Sequence, residues 1–116
     1  MSVEKRRVRR VRTESRPAAR VRPSLEARLV DLSLTGARIE HYGTLRPEVP
    51  CTIELPGASR PLVLPVRVVW THVVGSEHSP EGERRLRYQS GLEFIGVTTE
   101  QQAVLVGIQE QYQRDK

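Results

Sequence analysis

The sequence predicts a mainly β protein: a six-stranded antiparallel β-barrel with one C-terminal α-helix and a flexible arginine-rich N-terminal arm. Three observations predict it. From residue 18 onward, apolar residues recur at every second position in short runs that stop at Gly or Pro. Near residue 99 the period becomes helical. The charge, finally, is gathered at one end: residues 1–22 hold nine Lys/Arg against Glu4 and Glu14, while the rest of the chain holds ten basic and twelve acidic residues. An arm that polar cannot bury enough surface to fold alone. At 116 residues the chain is long enough for one compact core and too short for two. The expected divisions are an arm over 1–17, a barrel over 18–97 and a helix over 98–116.

Ala18 to Val21 reads as the first strand, ended by Pro23. Leu25, Ala27 and Leu29 alternate with Glu26 and Arg28 in a half-buried second strand that leads into Asp31. Gly36 opens a third, Ala37-Arg38-Ile39-Glu40. Val49, Cys51, Ile53 and Leu55 keep the clearest alternation and stop at Pro56-Gly57. The longest strand puts Leu62, Leu64, Val66, Val68 and Trp70 on one face, with Pro65 marking a sheet edge or a bulge. Residues 75–83 form a polar hairpin loop, and Leu86, Tyr88, Ser90, Leu92 and Phe94 resume the alternation. Gly91 marks a bulge or a close backbone contact. Thr99 and Gln102 have capping-box spacing, followed by a helical stripe of Val104, Leu105, Ile108 and Tyr112. Strands at this spacing with tight turns favour a small antiparallel barrel, with the helix over one open end.

Composition excludes several functions. No apolar run approaches the roughly 20 residues of a membrane span, and no apolar segment follows the basic N-terminus. The expectation is a cytoplasmic protein without membrane insertion. Cys51 is the single cysteine, so there is no internal disulfide and no cysteine-built zinc site; its alternation with Val49 and Ile53 makes it a small buried residue. His41, His72 and His78 lack metal-ligand spacing and read as surface or strand histidines. Trp70, Tyr88 and Phe94 read as core, and five aromatics supply no stacking face for single-stranded nucleic acid. Ser33 has no histidine near it in sequence, and nothing argues for an enzyme.

The chemistry lies in a pairing of segments. Lys5-Arg6-Arg7-Val8-Arg9-Arg10 is followed, one strand and turn later, by Asp31-Leu32-Ser33-Leu34-Thr35-Gly36. Guanidinium forks match phosphates and the O6/N7 edge of guanine, and a carboxylate matches the guanine N–H groups. Alone, the second segment is equally a turn that satisfies its own backbone.

Together the two segments resemble the PilZ domain family, whose marks are Arg-x-x-x-Arg and a downstream Asp/Asn-x-Ser-x-x-Gly. Asp31, Ser33 and Gly36 fit the second motif without departure. Leu29-Val30, Ala37-Arg38-Ile39 and Ser90-Gly91-Leu92-Glu93-Phe94 look like the family's flanks, so the likeness covers nearly the whole chain. Three pairs satisfy the first motif: Arg6 with Arg10, which leaves room for a strand before Asp31, then Arg12 with Arg16, then Arg16 with Arg20. The resemblance implies a receptor for cyclic di-GMP, with Arg6, Arg7, Arg10, Asp31, Ser33 and Gly36 as ligand-binding residues. It implies no metal or other cofactor, and an arm that orders on binding and relays the signal to an unknown downstream protein. Asp31 is expected in a polar, exposed segment. Two other readings stand beside it: a basic-armed barrel that binds DNA or RNA, and a PilZ-like adaptor that has lost its ligand.

Overall fold

The computed structural model describes residues 10–13, 16–22, 25–48, 50–57 and 60–114. Seven strands precede the helix: β1 (Val11–Arg12), β2 (Ala18–Arg22), β3 (Leu25–Leu32), β4 (Gly36–His41), β5 (Cys51–Leu55), β6 (Leu62–His78) and β7 (Arg84–Phe94), then α1 (Thr99–Arg114). The pairings run β3-β2-β5-β6-β7-β4, and β4 pairs again with β3, so six antiparallel strands close into a ring. Closure satisfies backbone groups that an open sheet would leave on its edges.

The seventh strand, β1, comes from the segment assigned to the arm. It pairs along the same edge of β3 as β2 does, with Val11 opposite Leu32 and Arg12 opposite Asp31. β2 takes over with Ala18 opposite Arg28. The edge is stitched across the gap by Thr13 N–H to the Val30 carbonyl at 3.0 Å and Leu29 N–H to the Pro17 carbonyl at 2.9 Å. Val11 and Thr13 are buried, at 4% and 2% exposure, so the end of the arm is part of the packed protein. The apolar valine and the Thr13 hydroxyl, which donates to the Leu29 and Val30 carbonyls, explain why.

The alternating residues fill the interior: Val21, Leu29, Ile39, Ile53, Leu64, Val66 and Leu92 are buried in one core. From α1, Leu105, Ile108 and Tyr112 join it, whereas Val104 is exposed, being one position off the buried stripe. The helix packs on β1, and the Gln109 amide donates to the Leu32 carbonyl at 3.0 Å.

Three expectations need correction. Strand β6 runs on to His78, so the hairpin loop shrinks to 79–83. Pro65 lies on neither an edge nor a bulge, because β6 is flanked by β5 and β7. Its carbonyl accepts from Ile95, just past the end of β7, so its missing N–H faces the side where that ladder has finished. The capping box is Thr98 with Gln101: the Thr98 hydroxyl accepts from Gln101 N–H at 3.1 Å, and the Gln101 side chain accepts from Thr98 N–H at 3.0 Å. His41, read as a surface or strand histidine, ends strand β4 and is buried at 2% exposure. Val49 lies outside the described residues.

Candidate functional site

Where β3 turns into β4, the Ser33 hydroxyl accepts from the N–H groups of Thr35 and Gly36 at 3.2 and 3.1 Å and lies 3.3 Å from the Gly36 carbonyl. Ser33 N–H also donates to the Gly36 carbonyl at 2.9 Å. The serine therefore holds the turn in shape from a buried position (1% exposed). Gly36 is needed for packing. A Cβ there would run into the carbonyl oxygen of Leu92 on β7, so only glycine lets the two strands meet.

Asp31, at the end of β3, is not the exposed residue expected. It is 0% exposed, and both its oxygens are engaged. Oδ1 accepts from Arg10 Nη1 at 2.5 Å; Oδ2 accepts from Arg38 Nε and Nη2 at 2.8 and 2.5 Å. A buried carboxylate between two guanidinium groups is charge-assisted on both sides and leaves this corner with one net positive charge. The arginines remain partly exposed, at 48% for Arg10 and 33% for Arg38.

Beside them lies a groove of about 570 Å³, lined among others by Arg10, Gly36, Arg38, Trp70, Gly91 and Glu93. Strand register explains its shape. With Ala37, Ile39 and Leu92 pointing inward, the alternate residues of β4 and β7 face outward. Gly36 is paired with Glu93 and Arg38 with Gly91; the Leu92 carbonyl closes the space at Gly36, and the Trp70 indole covers Gly91.

Trp70 forms the wall, which corrects its reading as core. The β6–β7 register shifts between Val68 and Trp70, and that bulge reverses the alternation. The indole swings outward over Gly91, where an added Cβ would collide with it, and stacks on His72 with centroids 4.8 Å apart. Three successive apolar residues, Val68-Val69-Trp70, break the period-2 pattern and were the available signal. Arg38 was missed because Arg38 and Glu40 read as a solvent face; nothing in their spacing marks Arg38 as the partner of Asp31.

The competing arginines lie elsewhere. Arg12 and Arg16 line a second cleft of about 390 Å³ that shares Arg38 with the groove, Arg16 sits 3.5 Å from Glu40, and Arg20 pairs across the sheet with Glu54. Of the candidate motif arginines among the described residues, Arg10 lines the groove. Arg6 and Arg7 lie outside the described residues.

The PilZ domain family model matches residues 4–110. This chain belongs to the PilZ domain family. Among solved structures, the PilZ domain with c-di-GMP of YcgR from Escherichia coli is similar over 96% of this chain and 93% of that one, with a TM-score of 0.73 and 18% identity. The crystal structure of YcgR in complex with c-di-GMP, also from Escherichia coli, is similar with a TM-score of 0.63 and 18% identity. There the match covers 96% of this chain and 47% of that one, so the present PilZ chain spans about half its length. At that identity the likeness shows the fold. No curated protein sequence matches the chain. Among the described residues of this PilZ domain, no helix is long and apolar enough to cross a membrane.

Proposed function

We propose that this PilZ domain is a receptor for cyclic di-GMP, bound in the groove beside the β3–β4 turn. One observation carries the reading: two arginines, fixed by a single buried carboxylate, stand at the head of a groove with a tryptophan wall. That is a fitting set for a planar, doubly anionic guanine dinucleotide. Guanidinium forks pair with phosphates and with guanine O6 and N7. The indole offers a face on which a base can stack. Family membership and the ligand named for the YcgR structures support the same choice.

In this reading Arg10 grips the ligand from the barrel side, while Arg6 and Arg7 reach it from the arm. Ser33 and Gly36 act by holding the turn that carries Asp31. The arm orders across the groove when ligand binds, and this changes the surface offered to a downstream protein. Helix α1 is placed to pass the change on, since it packs on β1 and is bonded through Gln109 to Leu32.

Titration calorimetry with cyclic di-GMP, using GTP and cyclic di-AMP as controls, tests the proposal. The expected result is selective, saturable binding that Arg10→Ala weakens by about 1–3 kcal/mol, the scale of a lost bidentate contact. No binding of cyclic di-GMP, or equal binding of all three nucleotides, would sink it.

A further inference from the structure

A further cleft, of about 490 Å³, opens on the outer side of β2, β3 and β4, at the far end of β3 and β4 from their shared turn. It is lined by three arginines: Arg20 from β2, Arg28 from β3 and Arg85 from β7. Alternation aims the first two outward, since Ala19, Val21, Ala27 and Leu29 on either side of them are buried. Among the described residues no carboxylate comes within ion-pair distance of any of the three. Arg20 stands opposite Glu26 and Glu54 in strand register, but Glu54 is held by Arg22 at 3.7 Å. Arg28 makes one long bond, 3.5 Å, to the Arg16 carbonyl. The Arg85 guanidinium rests over the Tyr42 ring, 4.4 Å from its centre, and the Tyr42 hydroxyl donates to Glu77 at 2.9 Å. Two carboxylates line the same cleft. Glu40 is already taken, by Arg16 at 3.5 Å and Arg87 at 3.7 Å, which leaves Glu26 against three forks.

We infer that this cleft docks an acidic, extended segment of a partner protein, whose carboxylates meet Arg20, Arg28 and Arg85. Charge complementarity names the occupant: three exposed forks lack the acids that would satisfy them within the chain. Arginine and tyrosine are also the side chains that most often anchor protein interfaces. The spacing follows from register. Ala18 is opposite Arg28, so Arg20 is its diagonal neighbour, roughly 7–8 Å away. Alternate side chains of an extended peptide stand about 7 Å apart, so Glu-x-Glu reaches both forks. A nucleic acid fits less well. Glu26 and Glu40 would repel a continuous phosphate backbone, and the Tyr42 ring is covered by Arg85 instead of being open to a base. The inference does not rest on the cyclic di-GMP reading, because the cleft is separate from the groove at the β3–β4 turn.

Fluorescence polarisation of the full chain with a labelled Ser-Glu-Ser-Glu-Ser-Glu peptide, at near-physiological salt, tests it. A Ser-Lys repeat and a labelled oligothymidylate are measured beside it. The expected result is saturable binding of the glutamate peptide alone, weakened about fivefold by Arg28→Gln, the upper scale of one exposed ion pair. Arg20→Gln, on the neighbouring strand, is expected to do the same. Arg60→Gln removes the same charge from an exposed position outside the cleft and is expected to change affinity less than about twofold. Glu26→Gln is expected to tighten binding. Circular dichroism melts check that each variant folds. Absence of saturable binding would overturn the inference. So would equal losses in Arg28→Gln and Arg60→Gln, which mean attraction to overall charge, the basic arm included. Oligothymidylate binding with the same Arg28 dependence would give the cleft to nucleic acid. A dimer in sedimentation that Arg28→Gln dissolves would give it to a second copy of the chain; either result overturns the assignment to an acidic partner.

Discussion

At Gly36, β4 approaches β7 so closely that an added methyl group would meet the Leu92 carbonyl oxygen, a backbone atom with nowhere to move. Relief requires the strands to part, which disturbs the turn held by Ser33. Gly36→Ala is therefore expected to destabilise the protein by about 1–3 kcal/mol, as overpacking of a close contact does. Urea unfolding of the ligand-free protein checks this; an unchanged midpoint would mean that the strand contact is softer than its geometry implies. At this scale the sequence was readable where a residue's reason is local. The glycine in Asp-x-Ser-x-x-Gly announces a turn. It does not announce that a carbonyl on β7, more than fifty positions away, is what forbids a side chain. Trp70 was misread for a similar reason: its direction depends on a bulge against β7, a property of the pair of strands.

Elements were more legible than residues, since alternation and period survive small errors of register. The strands from Ala18, Leu25, Gly36, Cys51, Leu62 and near Leu86 each emerged, although Leu86 is exposed and Trp70 lies outside the core face expected of it. What stayed hidden was β1. Two residues inside an arginine-rich segment carry no periodicity, and Val11 is held by β3 and α1 rather than by any pattern of its own. The helix start was off by one residue because Thr98 and Thr99 are both followed three positions later by glutamine. The reciprocal bonds decide for Thr98 and Gln101. Thr98→Ala should then cost about 1 kcal/mol, the usual scale for losing an N-cap, and Thr99→Ala much less. Thermal melts of the two variants compare them directly. An equal or larger loss in Thr99→Ala would return the cap to the neighbouring residue.

On the scale of the molecule, a buried polar chain ties three strands together inside the ring. His41 Nδ1 donates to the Gly43 carbonyl at 2.5 Å, so Nε2 is left to accept from the Ser90 hydroxyl at 2.7 Å. Ser90 in turn lies 2.7 Å from the Thr71 hydroxyl. This arrangement suits a neutral imidazole. Burial pushes the His41 pKa below its ordinary value of 6.5, against the smaller opposing pull of the Gly43 bond and the Glu40 charge. The folded protein thus holds this proton more weakly than the unfolded chain does. Acidification favours unfolding: the contribution is intact above about pH 6.5 and is lost progressively below it. Melting temperature is expected to fall between pH 7 and pH 5, with a shallower fall in His41→Gln. Equal slopes in the two proteins would place the titration on other groups.

The buried end of the arm has a practical consequence for anyone trimming this chain. A version beginning at Ala18 looks like a clean deletion of a charged tail. It would in fact strip Val11 and Thr13 out of the interior, uncover part of α1, and leave Asp31 with one arginine where it had two. Such a truncation weakens the fabric and the grip at once, so a lost signal could not be credited to either. A cut just before Arg10 keeps the two effects apart.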